Sequence, residues 1–274
     1  IEAWGEIGLA VKGYDYMDNT TNIYGIRDIT LMADSQVIFR SDLNRFAFDE
    51  TRYLNSFTDF EEWKEHRSFY IKSFVDPGNR LRFIESVKRG ILTIDEPRTY
   101  HLTYRLADAF GNTTQLSIRI EGKEQPIPEI DTDNTELFHW WSDNRFGAKG
   151  IRLAIPKGNL YDDLYFRYTV KEDSTALGAT HTLHNKPVAL HKSAKLSLRL
   201  QTDTLENKQQ YGVVRILNGR RSWTGGVYRN GSMPTSKNWE LTHSDKTLYL
   251  LPLPLSIRRH GLVNKPFRSG YPTI

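Results

Sequence analysis

The feature that most constrains the fold of this chain is a pair of alternating segments between Thr99 and Ile120. Every second residue is apolar in both, which gives the sets Tyr100, Leu102, Tyr104, Leu106 and Leu116, Ile118, Ile120. A period of two places such residues on one face of a strand. Between the segments, Gly111 tolerates a positive φ, and the Asp108 carboxylate can accept hydrogen bonds from backbone amides across a turn. The sequence therefore predicts a β-hairpin with one buried face.

Further strands are predicted before this hairpin. The segment Trp4–Tyr14 alternates between apolar and polar side chains, which predicts one half-buried strand. Strands at 26–33 and 37–40 are joined by Asp34-Ser35, a pair that favours a turn. Residues 1–122 are therefore predicted to form one β-sandwich domain.

One short helix is predicted within this domain, near residues 58–67. Thr58 and Glu61 have the spacing of a capping box, in which each side chain accepts a hydrogen bond from a backbone N–H at the start of a helix. A helix of this length is not stable by itself, so we expect Phe60, Trp63 and Arg67 to pack against the sheets.

The chain of 274 residues is long enough for two domains of about 100–150 residues each. Residues 123–136 contain two prolines and many polar side chains, which predicts a stiff linker. Residues 137–249 contain short alternating runs with turn signals between them, which predicts a second β-sandwich. The runs lie at 151–155, 164–170, 194–200 and 211–217, with turns at Lys157–Asn159 and Asn218-Gly219.

The residue pattern of the sequence changes at residue 250. The run Leu251–Leu255 alternates leucine with proline, and proline removes a ladder hydrogen bond, so this run is incompatible with a central strand. Residues 250–274 are therefore predicted to be a tail or the start of a further domain. The expected fold class is all-β, with tandem sandwich domains and one short helix in the first.

Several motifs resemble one family. The hairpin with its Asp108–Thr113 turn resembles the closing hairpin of bacterial immunoglobulin-like domains, so both sandwiches are expected to be immunoglobulin-like. Together with other segments it resembles the region downstream of the catalytic domain in Bacteroidetes M23-type zinc metallopeptidases, most strongly over residues 4–122. The other segments are Tyr14–Met17, Asn22–Gly25, Ile38–Arg40, Phe46–Tyr53, Glu62-Trp63 and Pro77–Leu81.

The resemblance implies a non-catalytic accessory region of an exported protein, in the periplasm or at the cell surface. Its partners would be its own upstream peptidase domain and peptidoglycan or another envelope glycan. Zinc is expected only in that upstream domain, and no cofactor is expected within these residues. The accessory region would position or regulate the peptidase at the cell wall.

The histidines and carboxylates give no catalytic site. An M23 site needs an H-x-H motif, and none of the eight histidines forms one. The nearest pair, His181 and His184, is separated by two residues, and we interpret it as chance adjacency rather than a metal site. Asp131–Asn134 resembles the start of a calcium loop but lacks its glycine and distal glutamate, so the linker interpretation is favoured. The adjacent pairs Asp49-Glu50, Glu61-Glu62 and Asp162-Asp163 offer two acids each, without evidence for a catalytic spacing.

Composition excludes other partners and chemistries. No cysteine is present, so neither a disulfide nor a thiolate metal site can form. The net charge is +4, but basic residues occur only in short clusters such as Lys88-Arg89, which does not predict nucleic-acid binding. No apolar run approaches the roughly 18 residues of a membrane span.

Aromatic residues in the second domain are the remaining candidates for a ligand site. Trp140, Trp141, Trp223 and Tyr228 could form a platform on which sugar rings stack, although such residues also form cores. Gly225-Gly226 predicts a β-bulge or a close backbone approach beside Trp223. The alternatives to the accessory role are therefore a carbohydrate-binding module and a protein-interaction or adhesion module.

Overall fold

The computed structural model describes residues 1–16, 21–171, 179–200, 206–207, 211–217, 220–225, 227–228, 232–234 and 247–252. Over these residues the chain is mainly β, as predicted. In the first unit the strands are β1 (Glu2–Ala3), β2 (Gly5–Ile7), β3 (Ala10–Val11), β4 (Asp15–Tyr16), β5 (Ile23–Tyr24), β6 (Asp28–Ala33), β7 (Gln36–Asp42), β8 (Ile71–Lys72), β9 (Ile84–Ser86), β10 (Leu92–Ile94), β11 (Thr99–Ala107) and β12 (Thr113–Gly122). In the second unit they are β13 (Thr135–Phe138), β14 (Asn144–Ala148), β15 (Ile151–Ile155), β16 (Leu164–Lys171), β17 (Thr180–Leu183), β18 (Lys195–Arg199), β19 (Tyr211–Leu217), β20 (Arg220–Gly225), β21 (Ser232–Pro234) and β22 (Thr247–Pro252).

Among the residues that the structure describes, helical structure is confined to short pieces in the first unit. Two α-helices, α1 (Leu54–Phe57) and α2 (Phe60–His66), follow a 3-10 helix at Phe48–Tyr53, and a 3-10 turn lies at Lys88–Gly90. The predicted helix near 58–67 corresponds to α2, but the predicted cap was wrong. The N-cap is Asp59, one residue after the predicted Thr58. The Asp59 Oδ1 accepts a hydrogen bond from Glu62 N at 3.1 Å. Phe60 and Trp63 are half-buried as expected, whereas Arg67 is exposed and ends the helix with a φ of 56°.

The first unit is built on a six-stranded sheet in the order β1-β12-β11-β6-β7-β9. The predicted hairpin is its centre, because β11 and β12 pair in register from Thr99 opposite Glu121 to Ala107 opposite Thr113. Asp108 Oδ1 accepts hydrogen bonds from Phe110 N and Asn112 N across the turn, as predicted. The core lies between this sheet and a layer that contains β2, β10 and α1, and it includes Ile29, Leu31, Phe39, Phe57, Ile94, Leu102, Tyr104 and Ile120.

The prediction of one continuous strand over Trp4–Tyr14 was wrong. The segment is divided into β2 and β3, and each pairs with a different partner: β2 with β10, and β3 with β8. The break lies at Gly8, between the two strands, where a Cβ would lie 2.6 Å from the Phe74 ring of a distant segment.

The second unit contains a six-stranded sheet in the order β13-β16-β17-β22-β19-β20 and a four-stranded sheet in the order β14-β15-β18-β21. One apolar cluster takes residues from both sheets, so the arrangement is sandwich-like. Leu196 and Leu198 alternate with exposed Lys195 and Arg199 on β18, as the sequence predicts. The cluster also includes Phe138, Ile151, Leu153, Ile155, Leu160, Phe166, Leu183, Leu190 and Val213.

The prediction that the leucine–proline run lies outside any central strand was wrong for its first two residues. Leu251 and Pro252 were excluded from a central strand, yet they end β22, which lies between β17 and β19. The register explains why Pro252 is accommodated. It lies opposite Tyr211 of β19, whereas β17 pairs with β22 only at Thr247 and Leu248. The predicted turn at Asn218-Gly219, Gly226 and residues 253–274 lie outside the described residues.

Candidate functional site

The best-defined site outside the two cores is the junction between the first and second units, which centres on Tyr161. This residue lies in the loop between β15 and β16, and its side chain is buried. Its hydroxyl donates a hydrogen bond to the Arg52 carbonyl oxygen at 2.6 Å, and its own carbonyl oxygen accepts one from Gly78 N at 2.8 Å. Gly78 is required here, because a Cβ would lie 2.9 Å from the Leu160 carbonyl oxygen. The 3-10 helix at Phe48–Tyr53 and the loop that contains Gly78 are thereby attached to one residue of the second unit.

Two further rings pack around Tyr161. Tyr53 lies 4.4 Å from His191 and 5.8 Å from Tyr161 between ring centroids. His191 Nδ1 lies 3.2 Å from the Tyr161 oxygen. Because that hydroxyl already donates to a carbonyl, the Nδ1–H tautomer of His191 completes the network. Burial lowers the pKa of His191, and the nearby charges of Lys192, Arg52 and Arg80 lower it further.

A cleft of about 170 Å³ opens beside these rings and is lined by both units. Asp76 Oδ2 accepts hydrogen bonds from Ser56 Oγ at 2.5 Å and from Lys72 Nζ at 2.7 Å. Across the cleft, burial raises the pKa of Asp162, and the charge of Asp76 raises it further. Ser56 is only 3% exposed, and the hydrogen bonds of Asp76 with Ser56 and Lys72 connect α1, β8 and the loop that follows β8. On the same side of the first unit, Glu61 on α2 pairs with Lys186 at 3.1 Å.

The predicted ring residues fall into two separate places. Trp141 follows β13 in a turn and is 53% exposed, and its ring stacks on His139 at 4.8 Å with 22° between the planes. Asp163 fixes this turn, because its carboxylate lies 3.0 Å from His139 Nδ1 and accepts a hydrogen bond from Trp140 N at 3.1 Å. Trp140 is partly buried against the core of the second unit.

Trp223 and Tyr228 both contact β19, near the other edge of the six-stranded sheet, and Tyr228 packs against the core of the second unit. Trp223 is on β20, is 52% exposed and covers Gly212 of β19, while Tyr228 stacks on Tyr211 at 5.9 Å. The predicted β-bulge is confirmed, since the register shifts so that Thr224 has no partner residue on β19. Strands β13 and β20 are opposite edges of the six-stranded sheet, roughly 24 Å apart at about 4.8 Å per strand. Trp141 and Trp223 therefore do not form one platform.

His181 and His184 are both buried and have separate partners. His181 Nδ1 lies 2.8 Å from the Tyr168 hydroxyl, and burial lowers the pKa of His181. His184 has a φ of 58°, and its Nδ1 accepts a hydrogen bond from Arg167 N at 3.3 Å. Within the described residues, no group of three metal-ligating side chains occurs.

The carboxylate pairs are engaged in structural contacts. Glu50 accepts hydrogen bonds from Ala47 N and from Arg82 Nε and Nη2, and the Arg82 contact is the main cause that lowers the pKa of Glu50 to about 2. Glu62 lies 3.2 Å from His66 on the same helix. In the linker, Asp131 pairs with Arg167 of β16 at 2.5 Å, which attaches the linker to the second unit.

Sequence reasoning missed Tyr53, Tyr161 and His191 as functional candidates. They belong to no periodic pattern, and they are brought together only by the docking of two units. The one available signal was Gly78, which lies in the segment Pro77–Leu81 and indicates a position of close backbone approach.

Comparison with known proteins gives one partial similarity. Residues 135–238 are similar to the Zu5-like domain, and these residues include strands β13 to β21. No curated protein and no solved structure matches the chain. Among the described helices, none has the length and apolar character needed to cross a membrane.

Proposed function

We propose that this chain is a non-catalytic accessory region that positions or regulates an exported M23-type zinc metallopeptidase at peptidoglycan, in the periplasm or at the cell surface. The observation that supports a positioning role is the junction at Tyr161. A module that sets the distance and orientation of an attached enzyme must resist bending between its own parts. That resistance is supplied by hydrogen bonds to a 3-10 helix and to a loop, by a three-ring cluster and by an ion pair across the junction.

Two other observations agree with a non-catalytic role. The polar groups in the cleft satisfy one another, with Asp76 accepting from both Ser56 and Lys72. The similarity of residues 135–238 is to a non-catalytic domain. The peptidase itself, with its zinc, would lie in an upstream domain.

The test uses purified peptidoglycan and the full-length protein. The rate of muropeptide release and the fraction of protein bound to peptidoglycan are measured with and without residues 1–274, and with the Tyr161→Phe variant. We expect removal of the 274 residues to lower both quantities and Tyr161→Phe to change the rate more than the binding. Unchanged binding and unchanged release on removal would exclude the positioning role.

A second candidate function, binding of an envelope glycan, is favoured by the exposed Trp141 ring. A sugar ring packs its C–H face against an aromatic face, while neighbouring acids and imidazoles bind its hydroxyls. Trp141 offers such a face, and His139 and Asp163 lie beside it.

This candidate is tested by binding of residues 1–274 to soluble glycan fragments, followed by the tryptophan fluorescence of the protein. We expect Trp141→Ala to abolish the fluorescence change and Trp223→Ala to retain it, because the two rings lie at opposite sheet edges. Equal binding by the wild type and Trp141→Ala would exclude the site.

A further inference from the structure

The solvent face of the first sheet carries two arginines at its centre, Arg40 on β7 and Arg105 on β11. Both lie directly opposite Thr30 of β6, so the three residues form one row across three strands. Each of these strands has a neighbouring strand on both sides. Their neighbours along the chain, such as Leu31 and Tyr104, are buried in the core, so the row faces away from it.

Neither guanidinium group has a partner within the described part of the chain. No ion pair or hydrogen bond is made there by the side chain of Arg40 or Arg105, although Glu85 of β9 lies opposite Arg40. The two arginines are two strands apart, which separates their Cα atoms by about 10 Å. An arginine side chain spans half that distance, so both guanidinium groups can reach one anionic group above Thr30. Guanidinium groups bind a carboxylate through charge-assisted, often paired, hydrogen bonds.

The surroundings of this row define the rest of the ligand. The row lies in a concave region of about 600 Å³ on the sheet face. At one end of the region, Met32 and the 49% exposed Val37 offer aliphatic surface. At the other end, Asp28 and Asp42 carry negative charge, and Arg27 lies 3.4 Å from each of them.

This order of groups fits the end of a peptide better than a sugar or a polyanion. Among the described residues that line the region, none has an aromatic ring on which a sugar would stack. The carboxylates of Asp28, Asp42 and Asp108 lie at one end and would repel the further charges of a polyanion. A peptide that ends in an aliphatic residue presents one carboxylate, an aliphatic side chain beside it, and a backbone N–H that can donate to a carboxylate.

We propose that this face of the first sheet binds the C-terminal residue of a peptide that ends in an aliphatic amino acid. Arg40 and Arg105 hold the carboxylate above Thr30, and Met32 and Val37 contact the aliphatic side chain. The backbone N–H of the ligand then points towards the acidic end of the region. Binding of a free peptide is independent of the positioning role, since it is measured without peptidase or peptidoglycan.

The test is an NMR titration of residues 1–274 with the peptide acetyl-Ala-Ala-Val and with its C-terminal amide. We expect the backbone amide signals of Thr30, Arg40 and Arg105 to shift with the free acid only. Arg40→Gln and Arg105→Gln should each raise the dissociation constant about tenfold, because each removes charge-assisted hydrogen bonds. The matched control is Arg152→Gln, an exposed arginine on the inner strand β15 of the second unit, which should bind like the wild type.

Two further ligands distinguish this site from a general anion site. Inorganic phosphate should bind about tenfold more weakly than the peptide. Acetyl-Ala-Ala-Ser should bind several-fold more weakly, because it offers less aliphatic surface to Met32 and Val37. Circular dichroism verifies that all three variants are folded.

The proposal would be overturned by equal binding of the acid and the amide, of the wild type and either arginine variant, or of the valine peptide and either further ligand. The absence of any shift at millimolar concentrations of the valine peptide would also overturn it.

Discussion

The Tyr161 hydroxyl lies 2.6 Å from the carbonyl oxygen of Arg52, a residue 109 positions earlier in the chain. This hydrogen bond crosses from the second unit to the first, and Tyr161 also accepts one from Gly78 N through its main-chain carbonyl oxygen. The same residue therefore couples the two units through its side chain and its backbone. Only the side-chain contact can be removed without disturbing the loop.

Tyr161→Phe should weaken the coupling of the two units while leaving each folded. Loss of one buried hydrogen bond typically costs about 1 kcal/mol of stability. In this variant the free energy is lost from the contact between the two units and not from either core. Differential scanning calorimetry should show the two unfolding transitions moving apart. The control is Tyr165→Phe, a half-buried tyrosine on β16, which should leave their separation unchanged. Identical curves for Tyr161→Phe and the wild type would show that the junction is not coupled through this hydroxyl.

A second prediction concerns the core of the first unit, where Tyr104 donates a hydrogen bond to Ser73 Oγ at 2.9 Å. Both residues are buried, so Tyr104→Phe leaves the serine hydroxyl without its partner and should cost about 1–2 kcal/mol of unfolding free energy. Ser73→Ala should cost a similar amount, and the double variant should cost less than the sum of the two. Urea denaturation of the four proteins measures this coupling, and strictly additive effects would contradict it.

The sequence was most informative where the structure is local. The hairpin of β11 and β12, its Asp108 turn and the alternation on β18 follow from side-chain periodicity and turn chemistry, and all are present. The short helix was predicted for the same reason. Its N-cap is Asp59 and not Thr58, because the choice between two neighbouring capping residues depends on the φ and ψ angles of one residue. Such features involve residues fewer than 25 positions apart.

Non-local features were not predictable in this way. The break in the first predicted strand depends on Phe74 lying against Gly8, a contact between distant segments. Pro252 enters a central strand because β17 ends before reaching it, which periodicity cannot show. The rings at the junction, Tyr53 and His191, carry no pattern in sequence and meet only through docking of the two units.

A third prediction follows from Glu50, whose pKa is lowered from 4.5 to about 2, first by its hydrogen bonds with Arg82 and then by that with Ala47 N. A carboxyl with a lowered folded-state pKa contributes stability above its unfolded value, and that stability is lost as the pH falls from about 4.5 towards 2. Glu50→Gln should therefore lower the urea midpoint at pH 7 and approach the wild type near pH 2. Glu85→Gln, an exposed glutamate on β9, is the control and should match the wild type throughout.

The last prediction concerns acid sensitivity of the second unit through His181. Its ring is buried against Tyr168, and burial lowers its pKa below the ordinary 6.5, so the folded state holds it neutral. Stability from this group is therefore present above pH 6.5 and is lost as the pH falls below it, by up to about 1.4 kcal/mol per pH unit while the unfolded state takes up the proton.

Urea unfolding between pH 7.5 and 5, in steps of about half a unit, should show a smaller loss in His181→Gln than in the wild type. Part of the loss remains in this variant, because burial also lowers the pKa of His191. The exposed His66→Gln serves as the control, and an unchanged pH dependence in His181→Gln would show that His181 is not the group responsible.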